Sequence, residues 1–167
     1  GQFKKRDYWQ LRLWSAWSMY VSKHIISISN ATKLDILGQY KFTKGKVTTT
    51  LLGFDMKRFN QNLSSEKINN AKSKYKIKND YILFLSTLKP SKNVEGLLAA
   101  WKIVEEKFPK TTLVIAGKKG WQYARIFENV KKLNLEKRVV FTGFIDESDK
   151  PFLMSGAKAF VLPSFWE

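Results

Sequence analysis

The sequence predicts an α/β fold with a parallel sheet, and two observations carry the prediction. Beyond residue 79, short apolar runs recur as "YILFLS", "TTLVIAG", "RVVFTG" and "AKAFVLP". Between them lie longer segments whose apolar residues return at helical spacing. Such alternation means βαβ units with right-handed crossovers, because parallel neighbours can be joined only by a long connection that covers the sheet.

The elements follow in order. Residues 8–22 read as a helix, with Trp9, Leu13, Trp14, Ala16, Trp17, Tyr20 and Val21 on one broad arc and Arg12, Ser15 and Ser18 opposite. That arc is expected to pack on a sheet. The alternative lays it on a membrane surface, with Lys4, Lys5 and Arg6 at its flank. "HIISIS" reads as a strand, Asn30 as the cap of a helix over 31–40, and β-branched "KVTTTLL" as a second strand. The polar stretch over 53–70 reads as a connection. The expected organisation is the end of a first domain over 1–55, a crossing segment over 56–79, and a second domain over 80–167. In the second domain, helices are expected over 93–107 (Val94, Leu97, Leu98, Trp101, Val104 and Phe108 inward) and over 121–133 (Ala124, Phe127 and Val130 inward). A short helix capped by Ser148 or Asp149 carries Pro151 in its first turn.

Composition sets the outer limits. Hydrophobic residues at 44% and aromatics at 14% fit a packed chain rather than a disordered one. Lys, Arg or Asp interrupts every apolar run before it reaches membrane-spanning length. Cysteine is absent, which rules out disulfides and thiolate metal sites and fits a cytoplasmic location. The net charge of +16 attracts anions: nucleic acid, acidic headgroups or phosphate-bearing small molecules. No repeat, no D-x-D, no H-E-x-x-H and no P-loop occurs. His24, the single histidine, stands at the start of a strand and reads as structural.

Ligands of open α/β sheets bind outside the carboxyl ends of the strands. The first such end is "STLKPSKN", which leads into a helix whose first N–H groups, beside Lys89 and Lys92, suit an anion. The second is "AGKKGW", where two glycines allow close approach to a ligand and Lys118 and Lys119 add charge. The third is "FTGFI", with Phe144 and Ile145. The fourth is "LPSFWE", with Ser164 and Glu167. Cations, backbone donors, an apolar slot and one acid together suit a nucleotide diphosphate.

"FLSTLKPSKNVEGLLAAW", "LVIAGKKGW", "RVVFTGF" and "AKAFVLPSFWE", in this order, resemble the retaining glycosyltransferases of family four with the GT-B fold, in their bacterial mannosyltransferase-like branch. "SISNATKLDI" and "LLGFDMKRF" resemble the segment that ends the first domain and crosses into the second. The resemblance implies two Rossmann-like domains, with the nucleotide-sugar held mainly by the second and the acceptor by the first. Lys92 falls on the family's phosphate-contacting lysine, with Thr87 and Lys89 in the same loop. Gly117, Lys118 and Ser164 fall on donor-side loops, and Phe144 and Ile145 on the base pocket. Glu167 falls on the first acid of a paired-Glu motif beside the donor sugar, the expected catalytic group. The family motif continues into a Gly-rich turn and a second Glu, so the resemblance implies that Glu167 is a cut edge. A piece lacking the start of domain one and the end of domain two is expected to be inactive alone. The family often has an Arg where Ser86 or Thr87 stands and a basic residue where Ser91 stands.

The activity implied is transfer of a sugar, mannose in this branch, from a nucleotide-diphosphate donor to a glycan or lipid-linked acceptor with retention. No cofactor and no metal are expected beyond that donor. The expected location is cytoplasmic, with a peripheral place at the inner face of the membrane as a variant. Alternatives are a nucleotide-sugar epimerase or phosphorylase of the same fold, or a basic nucleic-acid-binding module. No recognition-helix motif or aromatic ribonucleoprotein signature supports the last, and no nucleic-acid partner is expected.

Overall fold

The computed structural model describes residues 5–60 and 62–165. The chain divides into two compact units, residues 1–55 and 56–167.

In the first unit, α1 (Lys5–Val21) is followed by β1 (Ile25–Ser27), α2 (Asn30–Gln39), a 3-10 turn (Lys41–Thr43) and β2 (Val47–Thr49). The strands pair in parallel, Ile25 opposite Val47. Ser29, not Asn30, caps α2, its hydroxyl accepting the Thr32 N–H at 3.0 Å. Both residue types can cap, and it is Ser29 that holds the extended backbone a cap requires. His24 Nε2 and Thr48 Oγ1 share a hydrogen bond of 2.9 Å, which ties the two strand segments together.

The expectation that the aromatic arc of α1 packs on a sheet is corrected. Trp9, Leu13, Trp14, Trp17, Tyr20 and Val21 are all exposed. A sheet of two three-residue strands offers too little surface to cover seventeen residues of helix. What holds α1 is local. Tyr20 meets the Phe42 ring edge-on at 6.0 Å, and Lys46 Nζ donates to the carbonyls of Tyr20 and Ser22.

The second unit opens with α3 (Ser65–Lys74), in a segment whose sequence reads as a connection. Glu66 in its first turn and Lys72 and Lys74 in its last complement the helix dipole, and Ala71 supplies the buried contact. With so few apolar residues the helix leaves no periodic signal. Then come β3 (Asp80–Leu85), a 3-10 turn (Pro90–Lys92), α4 (Val94–Val104), a 3-10 turn (Glu105–Lys107), β4 (Thr111–Ala116), α5 (Ala124–Lys132), β5 (Val139–Gly143), α6 (Lys150–Ser155) and β6 (Ala159–Phe160).

The four strands run parallel in the order β5-β4-β3-β6. Successive side chains of a strand face opposite sides, and here both sides are buried. Phe84, Leu113 and Ile115 pack with Val94, Leu98 and Trp101 of α4 and with Ile126 and Val130 of α5. Tyr81, Leu83, Val114 and Ala116 pack on the other face with Ala71 of α3 and Leu153 of α6. The Tyr81 hydroxyl donates to the Leu153 carbonyl at 2.6 Å inside that second core. Phe108, expected inward, is exposed because α4 gives way to a 3-10 turn before reaching it. Asp149 stands at the start of α6 but gives no side-chain cap; its carboxylate turns to Lys74 and Tyr75 instead.

Candidate functional site

Strand order locates the site. From β3 the chain steps to β4 and then β5 on one side, and then crosses back to place β6 on the other side of β3. The reversal leaves a crevice beyond the carboxyl ends of β3 and β6, where open α/β sheets bind ligands.

Main-chain hydrogen bonds stitch the four strand ends together. Ser86 N–H donates to the Ala116 carbonyl at 3.0 Å, Leu88 N–H to Lys118 at 2.9 Å, and Gly120 N–H returns to Leu88 at 3.0 Å. Gly117 N–H donates to the Gly143 carbonyl at 2.8 Å, which joins the second end to the third. Phe165 N–H donates to the Ser91 carbonyl at 2.9 Å, which joins the fourth to the first. Residues 86–93, 117–120, 143–145 and 164–165 thus form one rim.

The glycines of "AGKKGW" do not serve a ligand in the way their sequence suggests. A Cβ on Gly117 would lie 1.8 Å from the Ser86 carbonyl oxygen, and one on Gly120 would lie 2.7 Å from that of Leu88. The close approach they allow is between the chain's own strand ends.

Each candidate residue has a definite place. Thr87 and Lys89 are exposed on the first end. Lys92 is half-buried and closes the 3-10 turn, its N–H donating to the Lys89 carbonyl at 3.0 Å. Asn93 takes left-handed backbone (φ 51) and turns the chain into α4, so the helix begins at Val94, one residue later than expected. Asn tolerates that conformation better than most residues. The first N–H groups of α4 have no partners within the helix and carry its positive dipole end. A cavity of about 230 Å³ opens there, lined in part by Lys89, Pro90, Asn93, Val94, Gln122 and Phe165. Lys89 lies on its wall and Lys92 does not. Glu95 also lines it, its carboxylate accepting from Asn129 at 3.2 Å.

Gly117 is buried and Lys118 exposed. The Lys118 ammonium stands 4.6 Å from the centre of the Phe144 ring, and Phe144 is 54% exposed. Ile145 is a correction: its side chain is 1% exposed in the core beside Leu83, Val114 and Leu153, so only its backbone remains to meet a ligand. The strand ends at Gly143 (φ 72), and the bend that follows leaves Phe144 outward and Ile145 inward. The Ser164 hydroxyl is buried and, among the described residues, has no hydrogen-bond partner. Glu167 lies outside the described residues. Among those described, no group of acids and His could hold a metal ion. Likewise, no helix there is long and apolar enough to cross a membrane.

Sequence reasoning missed Ser91, the acceptor that joins the fourth end to the first, because a main-chain acceptor has no residue signature. It also missed Lys74 and Tyr75, whose contacts lie more than seventy positions away.

Residues 65–167 match the family model described as "Glycosyl transferases group 1". The chain belongs to the group 1 glycosyl transferases. A curated relative, the O-antigen chain mannosyltransferase B of Escherichia coli, is 26% identical over 152 residues, covering 90% of this chain and 39% of that protein. Among solved structures, Anabaena Alr3699/HepE in complex with UDP-glucose superposes with a TM-score of 0.73 at 22% identity, covering 86% of this chain and 38% of that one. WaaG, a glycosyltransferase involved in lipopolysaccharide biosynthesis, gives 0.71 at 17% identity, with 85% and 38% covered. This glycosyl transferase chain therefore spans about two-fifths of the length of these proteins and shares the α/β architecture of GT-B enzymes.

Proposed function

We propose that this group 1 glycosyl transferase chain carries the donor-binding side of a retaining, family-four-like enzyme that moves mannose from a nucleotide-diphosphate sugar to a glycan or lipid-linked acceptor. The mannosyltransferase relative supports the sugar, and its O-antigen product supports a role in polysaccharide assembly. The observation that carries the reading is the Phe165-to-Ser91 hydrogen bond. It brings the loop that leads to Glu167 against the turn that carries Lys92, at the switch point between β3 and β6.

Cleaving a sugar–diphosphate bond develops positive charge on the sugar and negative charge on the departing phosphate. In this reading Lys92, with Thr87 and Lys89 nearby, and the start of α4 stabilise the leaving diphosphate by preorganised charge and N–H groups. Glu167 orients a sugar hydroxyl or stabilises the oxocarbenium-like sugar. Phe144 meets the base, the Gly117–Lys118 loop flanks the nucleotide, and Ser164 gives its hydroxyl to the donor. No resident cofactor or metal enters the reading.

Calorimetric titration with GDP-mannose, UDP-glucose and random duplex DNA at rising salt tests it. The expected result is saturable nucleotide-sugar binding that Lys92→Ala weakens roughly tenfold or more without lowering the melting temperature. DNA binding that collapses steeply with salt, alongside no nucleotide affinity, supports a nucleic-acid-binding module instead.

A further inference from the structure

The loop after β5 is gripped from behind by the segment that precedes β3. Lys74 Nζ donates to Asp146 Oδ2 at 2.7 Å and to Asp149 Oδ2 at 2.6 Å. The Tyr75 hydroxyl donates to Asp149 Oδ2 at 2.8 Å and accepts the Asp146 N–H at 3.0 Å. One hydroxyl thus closes both ends of the turn over residues 146–149. Arg58 adds an ion pair to Glu147 at 3.8 Å, and Lys150 pairs with the same carboxylate. Hydrogen bonds from Lys74 first, then from Tyr75, hold the Asp149 carboxyl below its ordinary range, so the clamp is charged at neutral pH.

The clamp matters for what lies immediately before it. Phe144 is flanked by Gly143, whose carbonyl accepts the Gly117 N–H, and by Ile145, which is locked in the core. Asp146 follows, pinned by Tyr75. Phe144 is therefore an exposed ring on a fixed mount, with the Lys118 ammonium over it. A fixed, exposed aromatic ring beside a cation is a stacking platform for a nucleobase.

We propose that Tyr75 and Lys74 are positioning residues that hold Phe144 for stacking on the base of a nucleoside diphosphate. The inference rests on the donor-binding reading above. It assigns a ligand-tuning role to the end of α3, within the second unit, at residues placed behind the loop rather than on its ligand side.

Three measurements on the unsubstituted protein, Tyr75→Phe and Lys74→Gln test it: amide exchange of residues 144–149, and affinities for GDP, UDP and inorganic pyrophosphate. Tyr75→Phe keeps the ring and removes both hydrogen bonds. Exchange at Asp146 is expected to accelerate by about tenfold or more. The dissociation constants of the nucleotides are expected to rise roughly three- to tenfold, with that for pyrophosphate unchanged. Lys74→Gln, which leaves the Tyr75 hydroxyl in place, is expected to shift nucleotide affinity in the same direction by less. Equal weakening of pyrophosphate and nucleotides marks a merely structural role and overturns the proposal, as does faster exchange with no change in nucleotide affinity. Failure of the unsubstituted protein to bind either nucleotide refutes the donor-binding reading itself, and is seen before any variant is made.

Discussion

The close approach of the first two strand ends can be tested by adding a single methyl group. Gly117 has φ +145, and a Cβ placed there falls 1.8 Å from the Ser86 carbonyl oxygen and 2.7 Å from its carbon. Ordinary contact begins near 3.4 Å, and both atoms belong to backbone, so no side chain can swing away. Gly117→Ala thus carries two costs, about 1–3 kcal/mol for an L residue in that region of backbone space and about 1–3 kcal/mol for overpacking. Gly143 is the control. It also has positive φ (+72), but a Cβ there meets nothing within 4 Å, so Gly143→Ala carries only the conformational cost of about 1–2 kcal/mol. Urea unfolding followed by tryptophan fluorescence is expected to place Gly117→Ala about 1–3 kcal/mol below Gly143→Ala at equal slope. If the two variants unfold at the same midpoint, the strand ends are not in contact and the continuous rim does not exist.

Other perturbations read other parts of the fold. Arg138 donates from Nε to Glu105 Oε2 at 2.9 Å and from Nη2 to the carbonyls of Glu105 and Phe108, closing the end of the sheet away from the site. Arg138→Ala leaves Glu105 paired with Lys102 alone and removes the charged donor of these three hydrogen bonds, an expected cost of about 1–3 kcal/mol in urea unfolding. Arg138→Lys is expected to recover little of it, lacking the fork that reaches several acceptors. Tyr81→Phe removes the buried bond to Leu153 and is expected to cost about 1–2 kcal/mol by the same measurement. Burial pushes the Tyr81 hydroxyl up to about 12. Its contribution is therefore complete below pH 10 and lost as pH rises toward that value. On the acid side, Glu105 is held down chiefly by Lys102 and then Arg138, and Asp149 chiefly by Lys74. Depressed carboxyls stabilise the fold above their ordinary values of 4.5 and 3.8. The melting temperature is thus expected to hold through neutral pH and fall as pH drops below about 4.

The parallel sheet was legible because its information is local and redundant. "YILFLS" and "TTLVIAG" are apolar on both faces, as strands covered on both sides must be. Leu97, Leu98 and Trp101 return at helical spacing in the helix that covers one face. The elements that escaped carry little apolar signal or depend on distant partners. The helix over Ser65–Lys74 is almost wholly polar, and its contact with the helix over Lys150–Ser155 has no local signature. Ile145 reads as ligand-lining by its position in a motif. Its burial goes with the bend after Gly143 that leaves Phe144 outward, which a motif match does not weigh.

What makes four unremarkable loops into one rim is the order in which the strands are laid down. Had the last strand continued outward beside Val139–Gly143, residues 164–165 would stand at the far edge of the sheet from Ser91. The two strands between them alone span about 10 Å at ordinary strand spacing. Because the chain crosses back to Asp80–Leu85 instead, Ile82 pairs with Ala159 and Leu83 with Phe160, and the loop that follows falls against the 3-10 turn bearing Lys92. Pairing there extends over two residues on each strand, so the short ladder leaves the Phe165–Ser91 bond to fix where that loop points. Replacing Phe165 by Pro removes this donor while keeping an apolar ring. It is expected to raise the dissociation constant for GDP-mannose and leave the melting temperature nearly unchanged, since the last strand adds little to either core. A large fall in melting temperature with unaltered nucleotide affinity would mean that the bond secures the fold rather than the rim.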